Sequence, residues 1–406
     1  MTNVSSTFHQ KPAKQDDEFA SVPAVEIDLA DAYQVNLAPG TYRDETGRPW
    51  ILPSFRLAAE RLIVDKGYNH EYLSLLGSPN FLRAARDLVL GSAADERRVA
   101  SLQTVGGTGA VHMGALLLKL FSSRPSTVYI SDPTWVNHHD VFIHAGWKTQ
   151  SYRYYNPVSR SLDFDSLTQD VRSAPAKSIF VLHAVGHNPT GCDPSSEQWQ
   201  ALAQLFEEND HFAFFDCAYQ GFVSGSFEQD RRAIELFASR GISMCIAQSL
   251  SKNAGMYGER LGALHVLCGS AKSTQLVKQQ LKVLTRREIS CAPKYGADLV
   301  SVVCSDHDLR DMWEKDLRHI SFRITSMRQA LVDRLNKLGT PGDWSHIIRQ
   351  QGMFAYSGLT PEQCNALVDD FHIYVPRTGR MMMAGLNDQN LDYVAEAIHH
   401  VVVRYQ

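Results

Sequence analysis

The chain has 406 residues, enough for a large core and for two or three structural units. Its formal net charge of −4 supplies no basic field to draw in nucleic acid or an anionic membrane surface, so neither is expected as a partner. Seven scattered cysteines (192, 217, 245, 268, 291, 304 and 364) form no CxxC pair, which argues against a disulfide framework or a zinc knuckle, and no apolar run approaches the ~20 residues a membrane span needs.

The chain starts with neither the apolar stretch of a signal peptide nor the arginine-rich, acid-poor pattern of a transit peptide. A cytoplasmic location is therefore expected, with the residues before Val22-Pro23 read as a loose polar lead-in. Further along, short β-rich apolar runs predict strands over 126–131, 178–184, 212–218, 242–249 and 262–267. Helices are predicted over 108–121, 195–209 and 229–240. Near-continuous apolar strands alternating with helices predict an α/β domain whose sheet is largely parallel and covered on both faces. Trp313, Leu317, Ile320, Ile324, Met327, Leu331 and Leu335 then recur at three- and four-residue steps, the pattern of a long amphipathic helix. A break at 339–343 leads into a smaller α+β unit, with strands over 353–357 and 373–375 and helices over 361–371 and from Asn390. The expected division is 50–310 for the large domain and 311–406 for the small one, which 1–49 joins.

Five segments carry candidate chemistry. Val105-Gly-Gly-Thr-Gly109 opens the helix over 108–121, where N–H groups and the positive dipole end suit a phosphate. Taken alone it is better read as a tight turn. Gly186-His-Asn-Pro-Thr-Gly-Cys-Asp193 is a good turn in its own right, yet Asn188 follows a strand's carboxyl end, where open α/β sheets bind ligands. Asp216 ends an apolar strand, a costly place for a carboxylate without a positive partner; it either meets a protonated pyridine nitrogen or caps a helix. Lys252, in Ser249-Leu-Ser-Lys-Asn253, points to the same edge and is either an imine-forming amine or a surface lysine. Arg260, in Gly258-Glu-Arg-Leu-Gly262, suits a phosphate or a structural ion pair. The histidine pairs 138–139 and 399–400 lack a third ligand at metal spacing, so no metal is expected.

In this order the segments resemble the class I aminotransferases, in the aspartate aminotransferase subgroup of the fold-type I pyridoxal 5'-phosphate (PLP) enzymes. The likeness extends over nearly the whole chain. It includes Asn36-Leu-Ala-Pro-Gly-Thr-Tyr-Arg-Asp44, Asn69-His-Glu-Tyr-Leu73, Pro133-Thr-Trp-Val-Asn-His138, Ala218-Tyr-Gln-Gly-Phe222, Gly352-Met-Phe354 and Thr378-Gly-Arg380. The resemblance implies a large domain with a mostly parallel, seven-stranded-type sheet between helices, plus a smaller α+β domain. It also implies a ping-pong aminotransferase passing through pyridoxamine phosphate, with an L-amino acid, aspartate foremost, and 2-oxoglutarate as substrates. An aromatic or specialised-pathway aminotransferase is the alternative, followed by β-elimination or decarboxylation on the same scaffold.

By the same resemblance Lys252 holds PLP as a Schiff base and then shuttles a proton. Asp216 partners the ring nitrogen with His138 behind it, Asn188 and Tyr219 bond the ring oxygen, and Trp135 stacks on the ring. Gly107, Thr108, Ser249, Ser251 and Arg260 match the phosphate cup, and Tyr72 a tyrosine arriving from a neighbouring subunit, which implies a homodimer with shared sites. Arg380 matches the α-carboxylate arginine, with Gly40 near the substrate. Arg286 aligns with the neighbour's distal-carboxylate arginine, and the adjacent Arg287 is an alternative. Departures cluster at the substrate mouth: Ala38-Pro39 in a usually glycine-rich turn, Ala254-Gly-Met256 after the lysine, Ile289 with Cys291-Ala-Pro293 after Arg286, and Met381-Met-Met383 after Arg380.

Overall fold

A computed structural model describes residues 33–93 and 95–405; the lead-in read before Val22-Pro23 lies outside them. A seven-stranded sheet forms its centre: β1 (Val99–Val105), β2 (Thr127–Asp132), β3 (Lys148–Arg153), β4 (Ile179–His183), β5 (Phe212–Cys217), β6 (Met244–Ser249) and β7 (Leu261–Leu267). Across the sheet the order is β1-β7-β6-β5-β4-β2-β3. Pairing is parallel from β6 through to β3, whereas β7 runs antiparallel to both β1 and β6. This is the mostly parallel, helix-covered α/β sheet that the apolar runs lead one to expect.

Side chains alternate across the sheet, as the strand period of two requires. Ala213 and Phe215 pack with Leu202, Phe206 and Phe237 on one face. Phe214, with Val181, Ala247 and Leu264, packs on the other against Val111, Leu117, Phe142 and Leu281. Asp216 has the parity of Phe214, His183 that of Val181, and Ser249 that of Ala247. All three therefore point to the face covered by the helix Gly106–Phe121. Parity alone puts the polar strand ends on one side.

The long amphipathic helix runs over His307–Lys337, with Trp313, Leu317, Ile324, Leu331 and Leu335 buried along one stripe. Its stripe joins a core shared with residues of both chain ends, such as Leu37, Phe55, Val375 and Ile398. The N-terminal strand Val35–Asn36 pairs in parallel with Ile373–Tyr374, so a segment early in the chain lies against one near its end. The predicted single helix over 229–240 is two, Phe227–Asp230 and Arg232–Ser239. Asp230 explains the break: its carboxylate accepts from the N–H groups of Gly221, Val223 and Ser224 rather than facing solvent on a continuous helix.

Candidate active site

The carboxyl ends of β4, β5 and β6 open together on a cavity of about 150 Å3. Brought to it are Gly40, Gly107, Thr108, Trp135, Asn188, Asp216, Tyr219, Ser249, Ser251, Lys252 and Arg260. Arg260 reaches this edge although it precedes a strand, because β7 is antiparallel and begins where its neighbours end: Gly262 pairs with Ser249, and Leu261 with Val105.

At one end of the cavity the chain makes a cradle. Gly106 and Gly107 are themselves the first residues of the helix Gly106–Phe121, two residues earlier than its apolar pattern suggests. Gly106 holds a left-handed φ of 67°, and a Cβ there would run into the Arg260 guanidinium. At Gly107 a Cβ would sit 2.8 Å from that of Ser249. The Gly106 N–H donates to Arg260 O at 2.8 Å; the other first-turn N–H groups have no partners within their own helix and stand beside the Arg260 side chain, whose Nη1 donates to Ser251 Oγ at 3.3 Å. Such a group of donors suits a phosphate.

At the other end lies Asp216, buried on the sheet floor. Burial pushes its carboxyl up, but contacts with His138, His183 and Lys252 outweigh this and hold it below the usual range. Asp216 Oδ2 lies 3.3 Å from His138 Nε2, an electrostatic contact off the alignment of a full hydrogen bond. Behind it a buried relay sets the histidine tautomers. The Asn188 N–H donates to His183 Nδ1 at 3.5 Å, which assigns the His183 proton to Nε2, facing Thr134 Oγ1 at 3.3 Å. The Thr134 hydroxyl is then left to donate to His138 Nδ1 at 2.8 Å, so that the His138 proton faces Asp216. Burial keeps His183 neutral, with a pKa lowered to about 3. Sequence reasoning reached His138 but not Thr134 or His183; a histidine closing an apolar strand was the available signal.

Lys252 stands between these ends, its Nζ 4.8 Å from the centroid of the Tyr219 ring. Burial lowers its pKa to about 8, with Asp216 pulling the other way and Arg260 and Arg380 adding to the fall. A lysine so placed is a usable nucleophile near neutral pH. Asn188 Nδ2 donates to the Tyr219 hydroxyl at 3.4 Å. The loop bearing Asn188 is pinned by Asp193, which accepts from the N–H groups of Gly186 at 2.6 Å and His187 at 2.8 Å. Arg380 is buried beside them: Nη2 donates to Ala38 O at 2.7 Å, Nη1 to Asn188 Oδ1 at 3.5 Å, and its guanidinium lies 4.2 Å above the Phe354 ring. Tyr257 also lines the cavity, and its hydroxyl accepts from the Tyr42 N–H at 2.8 Å. It falls between two segments singled out in the sequence and was passed over.

Three residues lie elsewhere. Tyr72 is 90% exposed, and Arg286 and Arg287 sit exposed in the last turn of the helix Ala271–Glu288; none of the three lines the cavity of its own chain. Met381, Met382 and Met383 are fully buried in the core, so the run packs and does not form a flexible rim.

An amine of lowered pKa, a buried carboxylate opposite it and a donor cradle fit an aldehyde-bearing pyridine phosphate, the equipment of a PLP-dependent transferase. Comparison with known proteins agrees. Residues 32–398 match the family model "Aminotransferase class I and II". Aspartate aminotransferase 1 of Medicago sativa is 43% identical, over 91% of this chain and 89% of its own length. The structure of aspartate aminotransferase from Saccharomyces cerevisiae cytoplasm superposes with a TM-score of 0.90 at 42% identity, covering 93% of each chain. An aromatic-amino-acid aminotransferase from Burkholderia pseudomallei, covalently bound to pyridoxal phosphate, superposes with a TM-score of 0.88 at 36% identity, covering 95% of this chain and 99% of that one. The chain belongs to the class I and II aminotransferases, and it is a PLP-dependent transaminase of the fold-type I architecture.

Proposed function

We propose that the protein moves the amino group of L-aspartate to 2-oxoglutarate, working in the cytoplasm as a homodimer. The observation that carries this reading is one cavity holding Lys252, lowered to about 8, opposite the buried Asp216, with Arg380 beside Asn188. Relatives named as aspartate aminotransferases, one of them from a cytoplasm, support the donor and the location.

When bound, PLP supplies an aldehyde to capture the substrate amine and a ring to take up the electron pair left at the α-carbon. Lys252 Nζ would hold the cofactor and, as a free amine, would move a proton at the substrate α-carbon. Asp216, kept ionised by the His138 relay, holds a proton on the ring nitrogen. Asn188 and Tyr219 would bond the ring oxygen, Trp135 would stack on the ring, and Gly107, Thr108, Ser249, Ser251 and Arg260 would hold the phosphate. Arg380 grips the α-carboxylate near Gly40. Tyr72 and Arg286, facing outward on their own chain, complete the site of a second copy, with Arg287 as the alternative to Arg286. This reading also places 33–49, the described part of the segment 1–49, with the small domain 311–406, apart from the large domain 50–310; the pairing of Val35–Asn36 with Ile373–Tyr374 supports it.

A second reading, an aromatic aminotransferase, draws support from the Burkholderia structure and from Ala38-Pro39 at the substrate mouth. Steady-state rates with 2-oxoglutarate as acceptor separate the two. A kcat/KM for aspartate well above that for phenylalanine upholds the proposal, and the reverse order replaces it with the aromatic reading.

A further inference from the structure

We propose that Arg323, which does not line the cavity, is a positioning residue that sets the spacing between the two walls of the substrate end. The inference rests on reading Gly40 and Arg380 as that end.

Arg323 lies on the helix His307–Lys337 and is only 7% exposed. Its guanidinium ties two segments far apart in sequence. On one side Nη1 donates to Arg43 O at 2.8 Å and Nη2 to Asp44 O at 3.4 Å. On the other, Nη2 donates to Leu386 O at 2.7 Å and Nη1 to Ala384 O at 3.4 Å. Its Nε stands 3.8 Å from Glu45 Oε1, and its face lies 5.4 Å from the Tyr42 ring centroid.

Both segments lead straight to the site. The first follows Gly40, which lines the cavity and is bracketed by two fixed points: Ala38 O accepts from Arg380, and the Tyr42 N–H donates to the cavity-lining Tyr257. The second follows Arg380 through Met382, whose N–H donates to Leu37 O at 2.7 Å. The strap carrying Gly40 and the strand carrying Arg380 are thus laced together near Leu37 and Ala38, and again by Arg323 beyond Tyr42 and Met383. Without the second tie the strap keeps its bonds at Leu37, Ala38 and Tyr42, and the stretch beyond Gly40 loses the anchor that fixes its distance from the strand carrying Arg380. A planar fork of five donors presents two terminal nitrogens to both segments at once, whereas a lysine ammonium has three donors on a single nitrogen and cannot reproduce that fork.

The test is Arg323→Lys in the holoenzyme, with wild type beside it. Arg323→Lys is expected to keep the visible cofactor absorption of wild type and to raise KM for aspartate roughly tenfold, with a smaller change in kcat, since a binding wall that loosens weakens ground state and transition state alike. Affinity for succinate, a dicarboxylate that cannot react, should weaken by a similar factor. Glu45→Gln, which removes an exposed anchor of the same guanidinium without endangering the fold, should move both readouts the same way by less. A lower melting temperature in Arg323→Lys with KM and succinate affinity unchanged would overturn the positioning role and leave a structural one. A wild-type holoenzyme that fails to turn over aspartate would instead overturn the reading on which this inference rests.

Discussion

His138 Nε2 faces Asp216 Oδ2 at 3.3 Å, at the end of a buried chain that runs back through Thr134 and His183 to the N–H of Asn188. The loop that presents Asn188 to the cavity thereby also fixes the proton facing Asp216.

A pH prediction follows from that contact. Burial raises the Asp216 carboxyl and His138 is the largest influence lowering it, so His138→Leu should move its pKa upward. The ionised form, which is the one proposed to hold the ring-nitrogen proton, would then be lost at a higher pH on acidification. The acidic limb of the kcat/KM profile should shift to higher pH in the variant, and an unmoved limb would remove His138 from this role.

Lys252 titrates near 8 rather than at 10.5, because burial disfavours its cation. With Lys252 proposed as the amine that captures the aldehyde in its neutral form, PLP uptake by cofactor-free protein should rise roughly tenfold from pH 7 to pH 9 and then level off; an unshifted lysine would give a rise of roughly 100-fold over that interval without levelling. Stopped-flow absorbance distinguishes these. Between about 8 and 10.5 the unfolded chain binds more protons than the folded one. The contribution of Lys252 to the stability of the cofactor-free protein therefore grows with pH across that window, and it is read as the difference between wild type and Lys252→Met, because the buried thiols of Cys217 and Cys245, held above their usual range, pull the opposite way.

The outward-facing Tyr72 and Arg286 give the dimer a test by complementation. Co-folding Lys252→Ala with Arg286→Asp yields hybrid dimers in which one site has both its own Lys252 and the partner's Arg286. Random association should restore about a quarter of wild-type activity from two nearly inactive parents. If Arg286 acts within its own chain, no activity returns; repeating the experiment with Arg287→Asp decides between the neighbouring arginines.

The glycine cradle can be tested against a matched control. Gly106 and Gly241 have φ of 67° and 73°, but a Cβ at Gly106 meets Arg260 whereas one at Gly241 has nothing within 4 Å. Either change to alanine should cost roughly 1–3 kcal/mol of stability in chemical denaturation. Only Gly106→Ala should also weaken PLP binding, by roughly tenfold or more, through the displaced guanidinium.

Much of this was legible in the chain because the chemistry sits on strand ends. Asp216 and Ser249 close buried apolar runs, so their place at a common edge follows once the sheet is parallel. β3 was not legible: Lys148–Arg153 reads Lys-Thr-Gln-Ser-Tyr-Arg, with most side chains at the surface of an edge strand and no apolar run to betray it. Arg380 and Ala38 are 342 residues apart, and no local pattern predicts their hydrogen bond. Arg323 was hidden for a related reason, since its partners are backbone carbonyls, which leave no mark in a sequence.

The most direct measurement is the visible absorption of the purified protein before and after adding L-aspartate without any keto acid. A yellow protein whose band bleaches on aspartate, alongside a Lys252→Ala variant without that band, is the expected result. A protein that stays colourless after incubation with PLP, or a Lys252→Ala variant with undiminished multiple turnover, would contradict the assignment of Lys252 as the residue that holds the cofactor.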